Sequence, residues 1–201
     1  LLALLGNQDE ADRCLVQAGQ APTDNPQDSL QTGREHLVQG RFRAALPLLQ
    51  AATRSEAQNV PAWFLLGRCH DGLGQDREAA ACYTTCIALR PKEAQPYFQR
   101  GLTYLRQRDY RLARADFDQA IALQPKNYDA YFNRALAHHG LKQTREALAD
   151  LNKALDALGS WLRGTGANPV DGSLTTFYTD IQTGVSDGVL SLALGVLPAQ
   201  L

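Results

Sequence analysis

Methionine is missing from all 201 residues, and so are the motifs that carry most catalytic chemistry. There is no GxxxxGK[ST] phosphate loop, no GxSxG nucleophile elbow and no HExxH zinc helix. Phosphoryl transfer, serine hydrolysis and zinc proteolysis therefore lose their usual carriers. Neither sign of charge dominates: 20 basic residues face 21 acidic ones, for a net charge of −1. That balance argues against the basic stripe expected of a nucleic-acid binder. The four cysteines, Cys14, Cys69, Cys82 and Cys86, include no CxxC pair, so neither a zinc site nor a disulfide framework is indicated. Small buried thiols in a reducing, cytoplasmic compartment are the expectation. No apolar run is long enough for membrane insertion, since the most apolar stretch, 188–197, has ten residues where a spanning helix needs about 20. No cofactor is expected.

What is present is repetition. Alanine recurs at Ala11, Ala45, Ala79, Ala113 and Ala147, a constant 34-residue step. Other columns keep that step, which a chance pattern in an alanine-rich chain would not. Gly33, Gly67 and Gly101 are followed by Ala135; Leu15, Leu49, Tyr83, Phe117 and Leu151 form a large apolar column; Trp63, Tyr97 and Tyr131 form an aromatic one. Within each period the apolar residues fall at helical spacing in two runs, broken at Gly40-Arg41, Leu73-Gly74 and Gln107-Arg108-Asp109. Each period thus predicts a hairpin of two helices. A hairpin cannot cover its own apolar faces, so neighbours must stack.

A 34-residue unit with these aromatic, small, alanine and large apolar positions, closed by Pro91 and Pro125 in its best copies, resembles the tetratricopeptide repeat (TPR). The resemblance implies an all-α fold, a right-handed TPR superhelix or α-solenoid of antiparallel helix hairpins. Its units fall at 26–59, 60–93, 94–127 and 128–161. Residues 1–25 read as a partial TPR, the second helix of a truncated repeat holding Ala11, Leu15 and Ala18. A start inside a repeat, with no Met, leads to the expectation of a piece of a longer solenoid. Gly159 stands where the fourth unit should have its closing proline.

The resemblance also implies a concave groove lined by the first helix of each unit. Its fifth positions are Leu30, Phe64, Phe98 and Phe132, an expected aromatic ladder. Its ninth positions are Arg34, Arg68, Leu102 and Leu136, and its sixth positions include Gln99 and Asn133. Rings there would cover apolar side chains, amides would bond an extended backbone, and the arginines would take a carboxylate. The same phenylalanines would serve equally as packing between repeats. The lysines by which chaperone-tail binders of this family clamp a terminal carboxylate are missing, for the second positions are Gln27, Pro61, Gln95 and Asp129.

Three of the four histidines, His36, His70 and His138, share one column with Tyr104 and read as packing variants, leaving His139 as a polar groove contact. Asp109, Asp116 and Asp118 read as an ordinary solvated helix surface. No catalytic group emerges.

After Trp161 the period stops. Residues 162–172 read as a linker, and 173–201 as a C-terminal extra helical segment. Its apolar stripe runs from Leu174 through Phe177, Ile181, Val185 and Val189 to Val196. From Gly164 onward there is no Lys or Arg and there are three Asp, so this end carries −3 and the remainder, by difference from −1, carries +2. A basic amphipathic membrane anchor is excluded. The segment is expected to cap the last repeat, to dock intramolecularly in the groove through 173–197, or to join homo-oligomers, and a fused foreign peptide stays open. The function these readings predict is non-catalytic: a protein-protein interaction module, scaffolding a protein or peptide ligand or a partner helix in its groove. The alternatives are a homo-oligomeric structural element and the regulatory arm of an enzyme.

Overall fold

The computed structural model describes residues 25–165, with side-chain surroundings for 25–154. Residues 1–24, which hold Cys14 and all but Asn25 of the partial repeat expected at 1–25, and the segment 166–201, with its expected capping or docking roles, lie outside the described residues. Among the described residues there are eight helices and no strand. They are α1 Pro26–Val38, α2 Phe42–Ser55, α3 Val60–Gly72, α4 Asp76–Leu89, α5 Ala94–Arg106, α6 Tyr110–Leu123, α7 Tyr128–Gly140 and α8 Thr144–Thr165. The 34-residue step of the alanine column reappears as the step between the starts of α1, α3, α5 and α7, and between those of α2, α4, α6 and α8.

Local chemistry explains these starts. Asn25, Asn59 and Asn127 share one column of the repeat and cap α1, α3 and α7, their side-chain oxygens accepting from the backbone N–H of Gln27, Ala62 and Ala130 at 3.0, 3.0 and 3.2 Å. Each satisfies a donor that the first helical turn would leave orphaned. The ends are equally local. Arg90 precedes Pro91 and takes an extended backbone (φ −140°, ψ 78°) that stops α4. Ala57 and Gly159 stand in that proline's column; α2 still ends after 14 residues, as α4 and α6 do, whereas α8 runs on for 22. It thereby enters the stretch expected to be a linker from 162.

The chain divides into two compact units, 1–109 and 110–201. In the first, α1 pairs with α2 and α3 with α4, while α2 and α4 pack onto the next helices, α3 and α5. Leu37, Ala45, Leu49, Leu66, Cys69 and Cys82 form a core there, flanked by Leu30, Phe42 and Trp63. In the second unit α7 lies against both α6 and α8, around a core of Phe132, Ala135, Ala147, Leu151 and Ala154. The alanine column is the floor of the packing: Ala45, Ala79 and Ala113 are 0% exposed and Ala147 2%. Cys86 is fully buried like Ala52 and Ala120 in its column, a thiol in an alanine's place.

Two polar networks tie helices together. In the first unit Asp71, at the end of α3, accepts from the Tyr83 hydroxyl (2.5 Å), from the Thr103 hydroxyl (3.1 Å) and from the Arg106 guanidinium, whose Nε also donates to Asp76 (2.9 Å). Burial, then the bond to Asp71 and its charge, push the Tyr83 phenol well above its usual range. In the second unit Arg134 forks onto Asp150 at 2.7 and 2.6 Å and reaches Asp118 at 2.7 Å. The reading of Asp116 as solvated surface is corrected here, since it is buried, whereas Asp118 stays 46% exposed while it pairs with Arg134. An acidic run at helical spacing does not reveal which carboxylates a neighbouring arginine will claim.

Candidate partner-binding cleft

The first unit carries a cleft of about 520 Å³ between α1, α3 and the start of α5. Its apolar floor comes from Leu37 and Val38 at the end of α1, from Pro61, Phe64 and Leu65 on α3, and from Pro96 on α5. Val38 is 78% exposed, the most open large apolar side chain among the described residues. The Phe64 ring is half-buried and tilted at 57° against Tyr83, with centroids 5.7 Å apart, so a fully buried ring holds it from behind. A braced aromatic offers contact area at little conformational cost.

Charge lies on the walls. Arg34 on α1 and Arg68 on α3 occupy the same position of successive repeats, and both are exposed and line the cleft. Neither has an ion pair or side-chain hydrogen bond among the described residues, whereas Arg106 and Arg134 are engaged by aspartates. A third arginine, Arg90, lines the rim and is paired with Glu93 at 2.9 Å. The lining therefore carries two uncompensated positive charges.

The cleft brings together Arg34, Arg68 and Phe64 of the expected groove residues. Phe98, Gln99 and Leu102 lie half-buried on α5 and do not line it. In the second unit Phe132 is 7% exposed and belongs to the core, with Leu136 packed against it, so this ring is interior rather than presented. Asn133 spends its amide on its own helix, Nδ2 donating to the Asp129 carbonyl at 2.8 Å. Val38, Arg90 and Pro96 went unnoticed in the sequence. They lie at helix ends or in a loop, off the inward positions, and the one available signal was a valine just ahead of the polar turn that closes α1.

Two of the histidines bridge to the start of the following helix. His70 and His138, two repeats apart in one column, each place Nδ1 beside the residue ahead of the next helix, Gln75 at 2.6 Å and Gln143 at 2.8 Å. Among the described residues no group of three His, Cys, Asp or Glu is placed to hold a metal ion, and no helix is long and apolar enough to cross a membrane.

Stacked helix hairpins with a 34-residue period and this small-residue floor define a repeat protein of the TPR class. The chain belongs to the tetratricopeptide repeat family, which matches residues 30–95 and 98–160. The fold is similar to that of MamA (22% identity, TM-score 0.69, covering 81% of this chain and 95% of that one). It is likewise similar to MamA from residue 41 onward from Desulfovibrio magneticus RS-1 (21% identity, TM-score 0.65, covering 88% and 99%). TTC0263, a thermophilic TPR protein of Thermus thermophilus, is a third (22% identity, TM-score 0.60, covering 89% and 92%). No curated protein matches the chain significantly.

Proposed function

We propose that this chain is a non-catalytic protein-protein interaction scaffold whose first unit receives a peptide or partner helix in the cleft of α1, α3 and α5. One observation carries the reading: an open apolar floor with a braced Phe64 lies between two arginines that have no ion-pair partner among the described residues. Leaving such a surface bare serves no purpose in packing, and concave sites with a few convergent polar groups are where ligands bind. Membership of a family of repeat scaffolds fits. The three described thiols are free and buried, which suits a reducing, cytoplasmic setting.

The test is capture of binding partners by the full chain and by two variants that stay folded by circular dichroism, Phe64→Ala in the cleft and Arg111→Ala at an exposed position of α6. Truncating an interface aromatic often costs about 2 kcal/mol or more, so a partner retained by Arg111→Ala and lost by Phe64→Ala is expected. Equal recovery by both variants would remove the cleft from the function.

A further inference from the structure

Resting on that reading, we infer that the cleft selects an acidic, apolar segment of another protein, bound through side-chain carboxylates set two or three residues apart. Charge complementarity carries the inference. Arg34 and Arg68 add two positive charges that nothing among the described residues neutralises, while the third arginine is already matched by Glu93. A neutral or basic segment would leave both guanidinium groups without an anion beside newly buried apolar surface. An acidic one converts them into charge-assisted, bidentate contacts.

The spacing follows from the helices. Arg34 and Arg68 stand at the same phase on α1 and α3, which pack as neighbours. Packed helix axes lie about 8–10 Å apart, and an extended chain advances about 3.3 Å per residue, so carboxylates two to three residues apart meet both arginines. Apolar side chains between them fall on Pro61, Phe64 and Leu65. The arrangement needs no terminal carboxylate, since the guanidinium groups lie along the cleft walls. Specificity arises by exclusion as much as attraction, because a lysine at either acidic position would face an arginine over a low-dielectric floor.

The probes are a 12-residue fluorescent peptide of Leu, Val and Phe with Glu at every third position, its Gln isostere and its Lys counterpart, all amidated at the C-terminus. They are titrated against the full chain by anisotropy. The expected result is at least tenfold tighter binding of the Glu peptide than of the Gln peptide, weakened by raising salt from 50 to 500 mM. In Arg34→Glu/Arg68→Glu the preference should invert toward the Lys peptide, an inversion that a merely damaged cleft would not produce. Equal binding of Glu and Gln peptides, still abolished by Phe64→Ala, would overturn the acidic preference and leave the cleft as a binding site. Failure of every peptide to bind would overturn both. Binding that appears only after residues 166–201 are deleted, or a concentration-dependent dimer lost in Arg34→Glu/Arg68→Glu, would give the cleft to this chain itself and likewise overturn the inference.

Discussion

Gly67 on α3 and Tyr83 on α4 meet so closely that a Cβ added to the glycine would lie 2.7 Å from Cε1 of the ring. The ring cannot retreat, being fully buried with its hydroxyl bonded to Asp71 at 2.5 Å. Other hairpins solve the same contact with smaller partners: Gly33 faces Leu49, with a virtual Cβ at 2.9 Å, and Ala135 shares a core with Leu151. Gly67→Ala is therefore expected to destabilise the chain by about 1–3 kcal/mol through overpacking. In Gly67→Ala/Tyr83→Leu, which recreates the Ala135 and Leu151 combination, the two effects should couple favourably by about 1 kcal/mol or more. Urea denaturation of the four proteins checks this, and simple additivity would show that the glycine is not kept for the ring.

That contact was legible in the sequence because both residues belong to columns that recur every 34 positions: a periodic requirement leaves a periodic trace. The Asn caps follow the same logic, coming from a side chain repeated in one column. The polar networks left no such trace. Asp71 finds Thr103 and Arg106 about one repeat away, a neighbour relation that exists only once the hairpins stack and that no other described repeat duplicates. Phe132 shows the complementary limit. Its column placed it beside Phe64, yet its ring lies in the core of the second unit, because a repeat position specifies the helix face and not how deeply each side chain is covered.

Arg134 distinguishes its two carboxylates by burial. The side chain is 15% exposed and Asp150 6%, whereas Asp118 is 46% exposed. Asp150→Ala leaves a largely buried guanidinium with only the half-exposed Asp118 and should cost about 3 kcal/mol. Asp118→Ala removes a solvated partner and should cost under about 1 kcal/mol. Thermal or urea unfolding ranks the two, and equal losses would mean that Arg134 is not held by its fork onto Asp150.

Burial also governs the thiols. It is the main cause pushing Cys69 and Cys86 up to about 12 and Cys82 to about 11, from 9.0, with the charge of Cys82 adding at the first two and that of Asp71 at the third. A thiol whose folded pKa is raised favours the protonated native state, so its contribution is complete below about 9 and is lost as pH climbs through 11–12. In a Cys14→Ser background, iodoacetamide at pH 9 should label the native chain far more slowly than the urea-unfolded one. The urea midpoint should fall between pH 9 and 11. Fast native labelling of all three would contradict their burial.

The turns inside the hairpins form another column, Gly40, Gly74, Arg108 and Lys142, and all four adopt left-handed backbone, with φ of 72°, 69°, 60° and 61°. Only glycine enters that region freely; another L-residue costs about 1–2 kcal/mol. Nothing lies within 4 Å of a Cβ built on Gly74, so Gly74→Ala isolates the backbone penalty and should lower stability by about that amount. Lys142→Gly relieves the same strain but orders a more flexible residue, a loss of about 0.5–1 kcal/mol, so its net effect should be neutral to mildly stabilising. Denaturant midpoints of the two variants make the comparison. A marked loss in Lys142→Gly would show that the lysine side chain, and not its backbone, is what that turn requires.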